Sequence, residues 1–71
     1  MGKVIAIERT SLESLKRAYE SLLEIIANLY EAGETALESE NNDDASLLFA
    51  QADRLYIAAE NLAAVITEQE D

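Results

Sequence analysis

Cysteine, histidine, proline and tryptophan are all absent from this chain, and glycine occurs only at Gly2 and Gly33. Without cysteine no disulfide can staple the fold, and without cysteine or histidine the usual zinc sites are excluded. Without proline, and with Gly33 as the one glycine inside the patterned region, nothing forces a break in a long helix. Long apolar runs are missing as well. Val4 to Ile7 and Leu62 to Ile66 fall far short of the roughly 18 residues that a membrane span needs. Met1 to Ile7 is too short for a signal-peptide core, and Ala6 stands where a myristoylation signal wants serine or threonine. The expectation is a cytoplasmic protein with no membrane partner, a setting that the missing cysteines fit.

Positive charge is scarce. Five lysines and arginines face fifteen acids, for a formal net charge of −10. The imbalance is uneven. Lys3, Arg9, Lys16 and Arg17 outweigh Glu8 and Glu13 in the first 17 residues, whereas the rest of the chain sets thirteen acids against Arg54 alone. A field of that sign repels nucleic acid and anionic lipid and steers basic partners inward, so no direct nucleic-acid binding is expected.

What is present is a globular composition, 49% hydrophobic and 28% charged, in 71 residues. A chain this short buries only about 60% of the surface its unfolded form exposes. Small folds of this size lean on a disulfide, a metal or association, and here association is the one left.

From Leu12 the residues Leu12, Leu15, Tyr19, Leu22, Ile26, Leu29, Gly33 and Ala36 recur at alternating steps of three and four, the signature of a helix with a continuous packing seam. In heptad terms Leu12, Tyr19, Ile26 and Gly33 are a, and Leu15, Leu22, Leu29 and Ala36 are d. Leu23, Tyr30 and Leu37 flank the seam at e, with Ala18, Ile25 and Ala32 at g. Glu13, Glu20, Glu24, Glu31, Glu34 and Glu38 fall on the far side. Thr10 with Glu13 reads as a capping box, although Val4, Ile5 and Ile7 would allow an earlier start. Residues 38–44 then break the pattern with turn formers. Asn42, Asp43 and Asp44 are candidates to cap the next helix, while Glu38 and Glu40 suit the end of the first helix badly and predict fraying there.

The second seam runs Ala45, Leu48, Ala52, Leu55, Ala59, Leu62, Ile66, with Phe49 and Tyr56 at e. Alanines in one column let the helix axes approach closely, and Gly33 leaves room for Phe49 across the hairpin. A second apolar stripe, Leu47, Ala50, Ile57 and Ala64, lies on the side that faces water, so the second helix is apolar nearly all round. A two-helix hairpin cannot cover it. The fold expected is all-α, an antiparallel hairpin with helix 1 over about 8–38, a turn over about 39–43 and helix 2 over about 44–69, in one domain spanning 1–71. Two such hairpins would pair as a homodimeric four-helix bundle, and the charge split favours an antiparallel pair.

No catalytic set emerges. The three acids Glu31, Glu34 and Glu38 share a helix face but point away from the seam and lack the histidine of carboxylate-bridged metal bundles, so they read as a solvated face. The turn acids lack the alternation and glycine of a calcium loop and read as caps. No phosphate loop and no Ser/His/Asp set is present, so no enzyme, metal, cofactor or small-molecule substrate is expected. Tyr30, Phe49 and Tyr56 are candidate aromatic anchors for a protein interface. Arg54 has no acid at helical spacing in its own helix and is expected to pair with first-helix glutamates, the alternative being a contact to a partner.

The alanine/leucine layering and the string Gln51-Ala52-Asp53-Arg54-Leu55-Tyr56 resemble the Rop-type RNA-regulating bundles, whose basic RNA-binding faces this chain lacks. The layout is also similar to the small co-chaperones of bacterial type III secretion needles. Neither resemblance includes a diagnostic motif, so no family is assigned. Two functions follow from the residues. One is an adaptor or chaperone-like module that binds another protein through apolar helix faces, with Leu47, Ala50, Ile57 and Ala64 in contact. The other is an inhibitor, of the kind phages and mobile elements encode. It would cover the basic surface of a nucleic-acid-binding protein with an acidic tip of Glu34, Glu38, Glu40, Asp43 and Asp44.

Overall fold

The computed structural model describes residues 8–70 and contains two α-helices, α1 (Arg9–Glu38) and α2 (Asn42–Glu70), packed against each other as a hairpin. Both helices are long because no residue inside them breaks the backbone ladder, and α2 is rich in alanine, the strongest helix former. Val4, Ile5 and Ile7, the residues that would allow an earlier start, lie outside the described residues, as do Lys3 and Asp71.

The start of α1 differs from the capping box expected at Thr10. Glu8 occupies the N-cap with extended backbone (φ −67°, ψ 153°), makes no side-chain cap bond, and accepts the Leu12 amide on its carbonyl at 2.9 Å. Thr10 already has helical backbone and therefore cannot cap. At the other end, where fraying was expected, α1 runs to Glu38 and closes with backbone hydrogen bonds. The Asn41 amide reaches the Ala36 carbonyl at 2.8 Å and the Glu40 amide reaches Leu37 at 3.0 Å. This pair of bonds is a Schellman closure, and it satisfies carbonyls that would otherwise fray. Glu40 occupies the left-handed position at φ 63°, where glycine is usual.

The connection is also shorter than expected. The Asn41 carbonyl accepts the Ala45 amide at 3.0 Å, so Asn41 both ends the closure and opens α2. Asn42, Asp43 and Asp44 lie inside the first turn instead of capping it. There Asp43 and Asp44 suit the positive end of the helix dipole.

Packing is centred on one heptad column. The buried residues Ile26, Gly33, Ala45, Ala52, Ala59 and Ile66 all occupy a positions. The d residues, expected to share the centre, are only half-buried, including Leu22, Leu29, Leu55 and Leu62. Ile26, Ala52 and Ala59 form the middle of the core, with Tyr19, Leu22, Leu29 and Leu55 packed around them. Alanine at a lets the axes close on the a line. The larger d and e side chains are then displaced to the two broad sides of the hairpin. Gly33 makes the close approach possible at Phe49, since a Cβ built there would lie 2.5 Å from Phe49 Cε1.

Candidate functional site

The hairpin presents two broad faces of different chemistry. On one, the e column of α1 lies beside the e column of α2, as antiparallel packing along a requires. Lys16 pairs with Glu70 at the open end, and a shallow groove of about 520 Å³ beside them is lined by Tyr19, Leu23, Ala63 and Ile66. Further along, the Tyr30 and Phe49 rings meet with centroids 5.9 Å apart and planes tilted by 37°. The Tyr30 hydroxyl donates to Asp53 Oδ1 at 3.0 Å. That hydrogen bond holds the Tyr30 phenol above its ordinary 10.0; desolvation and the charges of Asp53 and Tyr56 act in the same direction. The three aromatic candidates therefore gather on one face. Tyr30 is 39% exposed and Tyr56 is 50% exposed, which leaves part of both side chains at the surface.

Acids border this aromatic face on both sides. Glu20 and Glu34 stand at the b positions of α1, and Asp53 and Glu60 stand at b in α2, all exposed. The opposite face is nearly free of charge. In α1 it presents the half-buried leucines of column d, then Ser11, Ala18, Ile25 and Ala32 at g, edged by Ser14, Ser21, Asn28 and Thr35. In α2 it presents Leu48, Leu55 and Leu62, then Gln51, Ala58 and Val65, edged by Leu47, Arg54 and Asn61. Charge enters at Arg54 and, near the ends, at Glu8, Asp44 and Glu68. Thr35 turns its hydroxyl back onto the Glu31 carbonyl at 3.1 Å.

The expected stripe of Leu47, Ala50, Ile57 and Ala64 is exposed along the outer side of α2, with Leu47 at 60% and Ile57 at 58%. The tip acids are only partly brought together. Glu40, Asp43 and Asp44 surround a hollow with Asn41 and Asn42, whereas Glu34 and Glu38 stand on α1 outside it. Arg54 does not pair with a glutamate of α1: among the described residues the one ion pair is Lys16 with Glu70. Arg54 stands at c of α2, on the side where columns c and g of α1 carry serine, asparagine, threonine and alanine and no acid within the helix. Among the described residues no polar or charged side chain is buried, no group of three acids is placed to hold a metal, and no helix is long and apolar enough to cross a membrane.

Sequence reasoning placed e and g residues on the first helix and e residues on the second but did not join them across the hairpin. The signal was available, because in an antiparallel pair e meets e. That rule groups Leu23, Tyr30 and Leu37 with Phe49, Tyr56 and Ala63, and it leaves the uncharged columns together on the other side. The chain matches no family model, no curated protein and no solved structure with which it was compared, so its function is argued from these faces alone.

Proposed function

We propose that this chain is a non-catalytic protein–protein interaction module that completes its own core by pairing with a second hairpin. One observation carries the reading. Eight large apolar side chains are 38–60% exposed, while the buried apolar core consists of Ile26, Ile66 and three alanines. A helix pair with that distribution has its apolar surface on the outside, where another protein can cover it.

Charge selects the face for self-association. Two chains of net charge −10 repel wherever their acids meet, and the acids stand mainly at b and f. The leucine face with Ile25 and Val65 lets two copies approach without opposing carboxylates along most of its length. Two helices about 45 Å long and about 10 Å across present roughly 900 Å² on that side, close to the about 800 Å² per partner of a standard interface. The result is a four-helix bundle with the d leucines inside it. An adaptor or chaperone-like role for such a dimer is the reading that its remaining apolar surfaces support, including Leu47 and Ile57.

Light scattering at micromolar concentrations tests the pairing. The expected mass is that of two chains, and Ile25→Glu combined with Val65→Glu should return the mass to one chain. A wild-type monomer with undiminished helicity by circular dichroism would overturn it. The inhibitor reading is favoured by Glu40, Asp43 and Asp44 gathering at the tip with no cation beside them among the described residues. It differs in salt response, since occlusion of a basic surface weakens steeply on screening while apolar docking persists.

A further inference from the structure

We infer that the aromatic face is a docking site for an amphipathic helix of another protein, one whose apolar stripe is flanked by lysine or arginine. The inference builds on the interaction-module reading and assigns the occupant of the face that the dimer leaves open. Leu23, Tyr30, Leu37 and Tyr56 are 38–50% exposed there, and with Phe49 they form a strip along the groove between the helices. From Leu23 to Leu37 the strip covers about 21 Å, the rise of about 14 helical residues. That length accommodates anchors at i, i+3 or i+4, i+7 and i+11 of a docked helix.

The rim decides the occupant. Glu20 and Glu34 edge the strip on α1, Asp53 and Glu60 edge it on α2, and among the described residues none of the four pairs with a lysine or arginine. A second copy docked on this face would set these acids against the same acids. A helix with an apolar stripe between two basic rows places its cations over them instead, and its apolar side chains on the rings and leucines. The aromatic anchors are already ordered. Tyr30 is held by Asp53 and Phe49 lies against Tyr30, so little side-chain freedom is lost on binding.

The test uses the full chain and three labelled helical peptides of equal length. One has a leucine stripe with lysine flanks, one the same stripe with glutamate flanks, and one the lysine composition scrambled so that no stripe forms. Fluorescence anisotropy should show saturable binding of the first, and binding at least about tenfold weaker for the other two. Glu20→Lys with Glu60→Lys should reverse the preference towards the glutamate-flanked peptide. Glu24→Lys with Glu31→Lys, which changes net charge equally but stands off the rim, should leave the preference in place. Tyr56→Ser should weaken binding with helicity unchanged.

Three results would overturn the assignment. The off-rim pair could abolish the preference as completely as the rim pair, which would reduce the effect to net charge. The scrambled peptide could bind as well as the striped one. Tyr56→Ser could dissociate the free protein to monomers, which would make this face the self-association surface. Light scattering without peptide reads the dimer separately, so failure of the dimer and failure of the docking site are distinguishable.

Discussion

Replacing Gly33 by alanine sets two effects of known size against each other. Alanine favours a helix interior over glycine by about 1 kcal/mol, so on propensity alone Gly33→Ala stabilises. The structure predicts the opposite sign. The new Cβ would lie 2.5 Å from Phe49 Cε1 and 2.9 Å from both Cδ1 and Cζ, whereas carbon atoms sit at about 3.5–4.0 Å in good contact. The ring must retreat by about 1 Å, and it is confined on the other side by Tyr30, itself tied to Asp53. Overpacking of that kind costs about 1–3 kcal/mol, so the expected net change is a loss of about 0–2 kcal/mol.

A double-mutant cycle isolates the cause. Phe49→Ala removes all three ring atoms that the new Cβ meets, so in that background Gly33→Ala should recover its gain of about 1 kcal/mol. The two values differ by about 1–3 kcal/mol of coupling, within the usual range for residues in contact. Urea unfolding followed by circular dichroism reads both arms, at one fixed protein concentration because association shifts apparent stability. If Gly33→Ala stabilises both backgrounds equally, the ring is not confined, and close approach of the helices at Gly33 is refuted.

Two further predictions follow from local geometry. Glu40 occupies a left-handed conformation that costs an L residue about 1–2 kcal/mol; after allowance for the looser unfolded chain, Glu40→Gly should stabilise by about 0.5–1 kcal/mol. Glu40→Gln controls for the charge, and equal effects of glycine and glutamine in thermal unfolding would show that backbone strain contributes nothing. Tyr30 has a raised phenol pKa, so the folded protein keeps that proton after the unfolded chain has lost its own. The associated stability is therefore present below pH 10.0 and is lost as pH rises through 10.0 and then through the folded value. Ultraviolet titration should show a late tyrosine, assigned by its disappearance in Tyr30→Phe and brought down by Asp53→Ala, which removes the acceptor; a late tyrosine that survives Asp53→Ala would remove the hydrogen bond as its cause.

Much of the hairpin was legible because its helices obey one period. The spacing from Leu12 to Ala36 and from Ala45 to Ile66 named every residue that the structure buries, and the Gly33–Phe49 contact followed from a small residue opposite a large one. Local detail was less legible. The helix starts depend on backbone bonds at Glu8 and Asn41, and these can form whether or not the side chain caps, so Thr10 and the turn acids misled. Arg54 misled for a different reason: pairing it with α1 required knowing which side of α2 faces the glutamates, and periodicity within one helix does not carry that. The same gap hid the candidate docking face, because neither e column is distinctive until the two are set side by side.

The thin core and the exposed apolar surface have one cause. With alanine at Ala45, Ala52 and Ala59, the two axes approach along the a column, and no single partner helix can then also cover d and e. The leucines of d are turned to one side and the aromatic residues of e to the other. Larger residues at those three positions would push the axes apart and open a wider interior. Part of columns d and e would rotate into it, making a better monomer and a poorer binding protein. Placement of acids at b along the whole hairpin, but at g and c only near its ends, then separates the two apolar sides by charge. The first is the side proposed to meet a copy of itself, and the second the side proposed to receive a basic helix. A lone hairpin would gain nothing from either arrangement, whereas the proposed module, pairing on one side and binding on the other, would use both.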